Sequence, residues 1–216
     1  MSWFGNNRNK LLENKIEEAT SELIPNGEID FALALEISDL IRSKQVPSKD
    51  AMRLLKKRFV DGENANQQKA ALKLIDFCIK NGGSHYILET ASKEFMDPLV
   101  IFLKSKANNE GVKECLLEMI QTWSILVSKD PQYDYINTIY RKLQNDGFNF
   151  PMITEIVDST MIESKVAPEW EDSDACMMCS ELFTLLNRKH HCRSCGGVFC
   201  QTHSSETSTI PELGIN

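Results

Sequence analysis

The sequence holds no apolar run near the roughly 20 residues that a membrane-spanning helix needs. Its opening, MSWFGNNRNKLLENKIEEA, has no apolar stretch followed by a small-residue cleavage site. Any contact with a bilayer is therefore expected to be peripheral. Positive charge in bulk is missing too: 24 Lys and Arg stand against 31 Asp and Glu, a formal net charge of −7, whereas nucleic-acid binding normally asks for a basic domain. No nucleic-acid partner is expected. There is no G-x-S-x-G elbow, no P-loop and no H-E-x-x-H helix, so no enzymatic activity is expected either. A disulfide framework is also absent. Of seven cysteines, Cys78 and Cys115 stand alone in apolar helical patterns and the other five fall between residues 176 and 200, a usage that suits metal-bound thiolates in a reducing cytosol.

That interval carries three pairs of soft metal ligands: Cys176-Met177-Met178-Cys179, Cys192-Arg193-Ser194-Cys195 and Cys200-Gln201-Thr202-His203. A two-residue spacer lets a tight turn aim both ligands at one tetrahedral ion, which is how zinc knuckles are built. Just before the second pair lies Arg188-Lys189-His190-His191, which with Cys192 and Arg193 reads RKHHCR. So many cationic side chains around a ligand make a poor core and a good phosphate clamp. The segment is short and has few large apolar residues, so metal is expected to supply on the order of 10 kcal/mol of its folding free energy per site.

RKHHCRSCGG, with a C-x-x-C upstream and a C-x-x-H downstream, resembles the FYVE zinc finger, the endosomal module that reads phosphatidylinositol 3-phosphate. The resemblance implies two zinc ions held by four ligand pairs, with alternate pairs sharing an ion. Cys176, Cys179, Cys200 and His203 then close the first site, and Cys192 and Cys195 begin the second. The family's fourth pair is expected soon after Asn216, so the finger is expected to be truncated, its second site incomplete as written. By the same resemblance Arg188, Lys189, His190, His191 and Arg193 line the headgroup pocket. The family's upstream W-x-x-D becomes Trp170-Glu171-Asp172-Ser173-Asp174, with Ser173 at the acid's position, so Asp172 or Asp174 must serve, Asp172 being the candidate headgroup residue. Leu185 and Leu186, next to the cations, are expected to enter the lipid interface while Phe183 turns inward.

Residues from about 9 to 147 read as helix after helix. Pro25-Asn26-Gly27, Val46-Pro47-Ser48, Asn81-Gly82-Gly83 and Asp130-Pro131 punctuate the series. Expected helices begin at about Glu28 for the second, at Lys49 with Ser48 as cap for the third, and at Pro131 for the last. The run over residues 66 to 79, apolar at Ala70, Leu74, Phe77 and Cys78, is expected at the centre. The expected fold class is an all-α right-handed superhelix of about eight helices, followed by a small zinc-stabilised finger.

The run IEEATSELIPNGEIDFALALEISDLIRS, the later CIKNGG, and SKEF and KDPQ at suitable distances resemble a VHS domain over residues 8–151, with a linker over 152–167 and the finger over 168–216. A VHS domain leading into a FYVE finger resembles the Hrs-type subunits of the endosomal sorting complex and their fungal class E vacuolar-sorting counterparts. The resemblance implies an adaptor that is cytoplasmic and peripheral on the endosome membrane. Its expected partners are phosphatidylinositol 3-phosphate membranes, ubiquitin or ubiquitylated cargo, and a partner subunit of the complex. The ubiquitin contact is implied on the second helix at Phe31 and Leu35, although their spacing fits core packing equally well. Cross-braced Cys/His pairs also occur in RING-type ubiquitin ligases, the alternative reading; those need neither RKHHCR nor the upstream tryptophan.

Overall fold

The computed structural model describes residues 3–152 and 168–210, with the side chains of residues 3–7 aside. All but the first residue of the expected linker, 152–167, lie outside the described residues. The helical half is built from α1 (Trp3–Ala19), α2 (Phe31–Arg42), α3 (Ser48–Val60), α4 (Ala65–Asn81), α5 (Ser84–Thr90), α6 (Lys93–Lys104), α7 (Glu110–Leu126) and α8 (Asp134–Asn145). α1 packs on α2 and α3, both α2 and α3 pack on α4, and from α4 to α8 each helix packs on the next, in an all-α superhelix. No helix among the described residues is long and apolar enough to cross a membrane.

Helix starts are set where a short polar side chain can take an orphan backbone N–H. Asp30, Asn64, Ser92 and Asn109 accept from Leu33, Gln67, Phe95 and Val112. Asp30 thereby starts α2 at Phe31, three residues later than expected. Ser48 does not cap α3: it is the first helical residue, and Pro47, its ring holding φ at −58°, makes the extended entry without a side-chain bond. Before α8 the chain runs as a short 3-10 turn over Pro131–Tyr133, so the α-helix proper begins at Asp134. Pro98 interrupts the ladder inside α6, and the Glu94 carbonyl four residues earlier accepts from Lys56 Nζ at 2.6 Å.

The core gathers around α4, which packs on α2, α3, α5 and α7. Its Leu72, Leu74, Ile75 and Cys78 are fully buried, as are Phe59, Tyr86 and Trp123 from these neighbours and Phe95 from α6. Trp123 keeps its Nε1–H satisfied by donating to Asp76 at 3.0 Å.

The finger has little regular structure. β1 (His190–His191) pairs antiparallel with β2 (Val198–Phe199), His190 opposite Phe199 and His191 opposite Val198. A lone bridge joins Ala175 to Leu182, and a 3-10 turn covers Gln201–His203.

Candidate metal centre and headgroup cleft

Each C-x-x-C turn closes through a residue in the left-handed region. Ser180, at φ 59°, donates its N–H to the Cys176 carbonyl at 2.7 Å; Gly196, at φ 76°, does the same to Cys192 at 2.8 Å. At Gly196 a Cβ would lie 2.1 Å from the Glu169 carbonyl oxygen, so only glycine fits there. The third pair rides on the 3-10 turn, with His203 N–H donating to the Cys200 carbonyl at 3.0 Å.

These turns bring the donor atoms of Cys176, Cys179, Cys200 and His203 within 4.8 Å of one another. Cys200 Sγ is 3.2 Å and Cys176 Sγ 3.8 Å from His203 Nδ1, and Cys179 Sγ is 4.0 Å from Cys200 Sγ. A tetrahedral zinc with sulfurs at about 2.3 Å and nitrogen at about 2.0 Å spaces its ligands by roughly 3.5–3.8 Å. Three sulfurs and an imidazole at these separations fit zinc, and four protein ligands leave it a structural ion with no open position. Burial pushes the Cys176 thiol up, but the backbone N–H groups of Cys179, Cys200 and Met178 outweigh it and bring its pKa down to about 6. Cys200 is lowered through His203, and His203 is raised by Cys200 in return. Protons on such a tetrad are released when metal binds. Cys192 and Cys195 stand apart from it. Burial raises Cys192, the N–H groups of Cys195 and Ser194 more than offset this, and among the described residues no third donor joins the pair.

The basic run spans two clefts that share Lys189. Lys189, His190, His191 and Arg193 line one cleft of about 470 Å³ with Trp170, and Arg188 lines the other with Lys189, beside Asp174, Phe183 and Leu185. His191 stacks on Trp170 with ring centroids 4.3 Å apart and planes 4° from parallel, and its Nε2–H donates to the Glu171 carbonyl at 3.0 Å. Burial lowers its pKa, so the ring stays neutral further toward acid than a free imidazole. Asp172 pairs with Lys189 at 2.9 Å, a hydrogen bond that lowers its carboxyl pKa. Ser173, where the family pattern has its acid, closes a local turn: its Oγ accepts from Ala175 N–H and donates to the Ala175 carbonyl. Leu185 and Leu186 are 93% and 99% exposed, on a turn that Thr184 Oγ holds by accepting from the N–H groups of Leu186 and Asn187. Phe183 is half-buried.

The other wall of the main cleft belongs to α1 and α2. Arg193 forms an ion pair with Asp39, and Arg42, one turn further along α2, lies over the Trp170 ring at 4.8 Å from its centroid. Glu169 accepts from the Ser84 N–H at 2.7 Å, presented by Gly83 at φ 89°. Burial raises the Asp39 pKa against the pull of Arg193 and then Arg42. Burial likewise pushes Arg42 down to about 10 against Asp39 and Glu169, and it remains a cation at neutral pH. Asp39, Arg42 and Glu169 carry no motif; only the i, i+3 spacing of Asp39 and Arg42 hints at a shared face. On the N-terminal turn of α2, Phe31 is 37% exposed and meets Phe77 edge-on at 5.7 Å, while Leu35 is half-buried against the core.

The VHS domain family matches residues 6–147 and the FYVE zinc finger family matches residues 168–216. The chain therefore belongs to the family of proteins that join a VHS domain to a FYVE zinc finger. Within it, the chain is 46% identical over 233 residues to vacuolar protein sorting-associated protein 27 of Scheffersomyces stipitis, covering 100% of this chain and 32% of that protein. To the protein of the same name in Saccharomyces cerevisiae it is 46% identical over 207 residues, covering 94% and 33%. The chain thus spans about a third of the length of these relatives. It is also similar to the crystal structure of the VHS and FYVE tandem domains of Hrs, described as a protein involved in membrane trafficking and signal transduction. That match has 32% identity and a TM-score of 0.63, and covers 95% of this chain and 90% of the other.

Proposed function

We propose that the chain is a non-catalytic endosomal adaptor whose finger, over 168–216, reads phosphatidylinositol 3-phosphate in membranes and whose VHS half, over 8–151, takes ubiquitin or ubiquitylated cargo for sorting into multivesicular bodies. It works peripherally on the cytoplasmic face of the endosome, alongside a partner subunit of the sorting complex. The finger holds two zinc ions, the second on Cys192 and Cys195 with a further ligand pair. The observation that carries the lipid reading is the meeting, on one module, of a cationic cleft formed by Lys189, His190, His191 and Arg193 with two leucines held fully in solvent. Cations can meet headgroups while apolar side chains enter the lipid. A ubiquitin-ligase reading explains the ligand pairs and leaves both of these features without a use.

Liposome flotation with and without the 3-phosphate lipid tests this reading. It is done on the chain and on the chain extended through a fourth ligand pair, with zinc counted on both. The extended form is expected to float selectively. Absence of discrimination in a form that carries its full zinc would overturn the reading. Replacing Leu185 and Leu186 together with serine removes up to about 1.5–3 kcal/mol per side chain, and is expected to abolish flotation while zinc stays bound. Zinc loss in that variant would show that the tip belongs to the fold. For the VHS half, a surface as small as Phe31 and Leu35 implies a ubiquitin Kd of about 0.1–1 mM. An NMR titration that shifts neither residue removes this surface.

A further inference from the structure

The cleft that takes the headgroup in the reading above is closed by the other domain, and the two walls differ in sign. On the finger side Lys189, His190 and Arg193 are basic; on the side of α2, Glu36 and Asp39 are carboxylates one helical turn apart. Lys15 shares that wall, but Glu36 Oε2 holds its Nζ at 2.5 Å. We propose that α2 of the VHS half is the selectivity wall of the headgroup cleft, with Asp39 as a specificity-determining residue that admits one ring phosphate beside Arg193 and rejects a second.

Lipid-headgroup recognition by the finger is assumed here, and three features of the junction support the added step. Asp39 engages Arg193 through Nη2 alone. A guanidinium has five N–H donors in a fixed fork, so the other donors stay available to a phosphate, and the ion pair orients Arg193 without using it up. The carboxylate is held in place on a stiff element. Arg42, 4% exposed, anchors the same helix face over Trp170, which is stacked on His191. Ser84 secures Glu169 just before that tryptophan. A charge fixed in a partly desolvated cleft discriminates more strongly than one on a mobile side chain, because it cannot swing away from a like charge. The finger contributes attraction, and α2 contributes the repulsive element that specificity needs.

The test is vesicle flotation of the two-domain chain extended through its fourth ligand pair. Vesicles contain either the 3-phosphate lipid or a lipid phosphorylated at two ring positions, matched in total surface charge with phosphatidylserine. The unsubstituted protein is expected to favour the single phosphate. Asp39→Asn is expected to narrow that preference by about tenfold, chiefly through a gain on the doubly phosphorylated lipid, and Glu36→Gln to act in the same direction with smaller effect. Asp39→Glu, which keeps the charge, is expected to keep the preference. Zinc content and the thermal midpoint of the helical half check that each variant is folded. An equal gain on both lipids would show that Asp39 merely competes with phosphate for Arg193, and overturns the proposal. An equal loss on both, or no change, also overturns it. If the unsubstituted protein ignores both lipids, the lipid reading of the finger fails first.

Discussion

The helical half buries Phe59, Tyr86, Phe95 and Trp123 completely, along with leucines and isoleucines from several helices, whereas the buried apolar side chains of the finger's described residues are Cys176, Val198 and Cys200. Two of those three belong to the Cys176, Cys179, Cys200 and His203 tetrad whose spacing fits zinc. One region therefore folds on apolar burial, while the other has so little of it that its fold and its metal chemistry are expected to rise or fall together. The largest expected effect breaks the comparison at the metal. Chelation is expected to remove on the order of 10 kcal/mol from the finger, dispersing the NMR signal of Val198 toward its unfolded position while the helical far-UV signal persists. Loss of the helical signal on chelation would show that the halves form one cooperative unit.

The reciprocal cut lies in α4. Leu74 is fully buried at the centre of the superhelix, and Leu74→Ala removes its methyl groups and leaves a cavity, at a cost of about 2–5 kcal/mol. A calorimetric transition of the helical half moved to lower temperature, with zinc still bound at the original stoichiometry, is the expected result. Zinc released at a temperature where the helices are still intact would mean that α4 supports the finger through α2. The two halves would then be less separate than their cores suggest.

The parts that could be read from the sequence were those with a period or a fixed spacing. Apolar residues at helical intervals announced α4 through Ala70, Leu74, Phe77 and Cys78, and the C-x-x-C and C-x-x-H spacings announced ligand pairs, whereas the joining of the first pair with the third came from the family resemblance. The basic run was legible as composition but not as geometry. Arg188 lines a cleft that His190, His191 and Arg193 do not, and Lys189 lines both. The docking residues were not legible at all. Asp39, Arg42 and Glu169 look like ordinary charged residues until 154 positions of chain bring Arg193 back to Asp39. Ser48 misled because a hydroxyl at a helix start normally caps it, and here Pro47 had already fixed the entry.

The smallest effect sharpens the comparison further. Asn64 caps α4 by accepting from Gln67 N–H at 2.9 Å, and the Gln67 side chain accepts in turn from Glu63 N–H at 3.0 Å. Asn64→Ala leaves the Gln67 backbone N–H without its capping acceptor, which costs about 1 kcal/mol. In a domain of this size that is a fall of roughly 2–4 °C in the helical midpoint. Asn64→Asp keeps the acceptor and adds a charge that the helix N-terminus favours, so its midpoint is expected to match or exceed that of the unsubstituted chain. If Asn64→Ala leaves the midpoint unchanged, the apolar face of α4 alone sets its stability and the local bonds at its start are incidental. A measurable fall confined to the helical transition, with zinc affinity unaltered, shows that a half built on burial still responds to single backbone bonds.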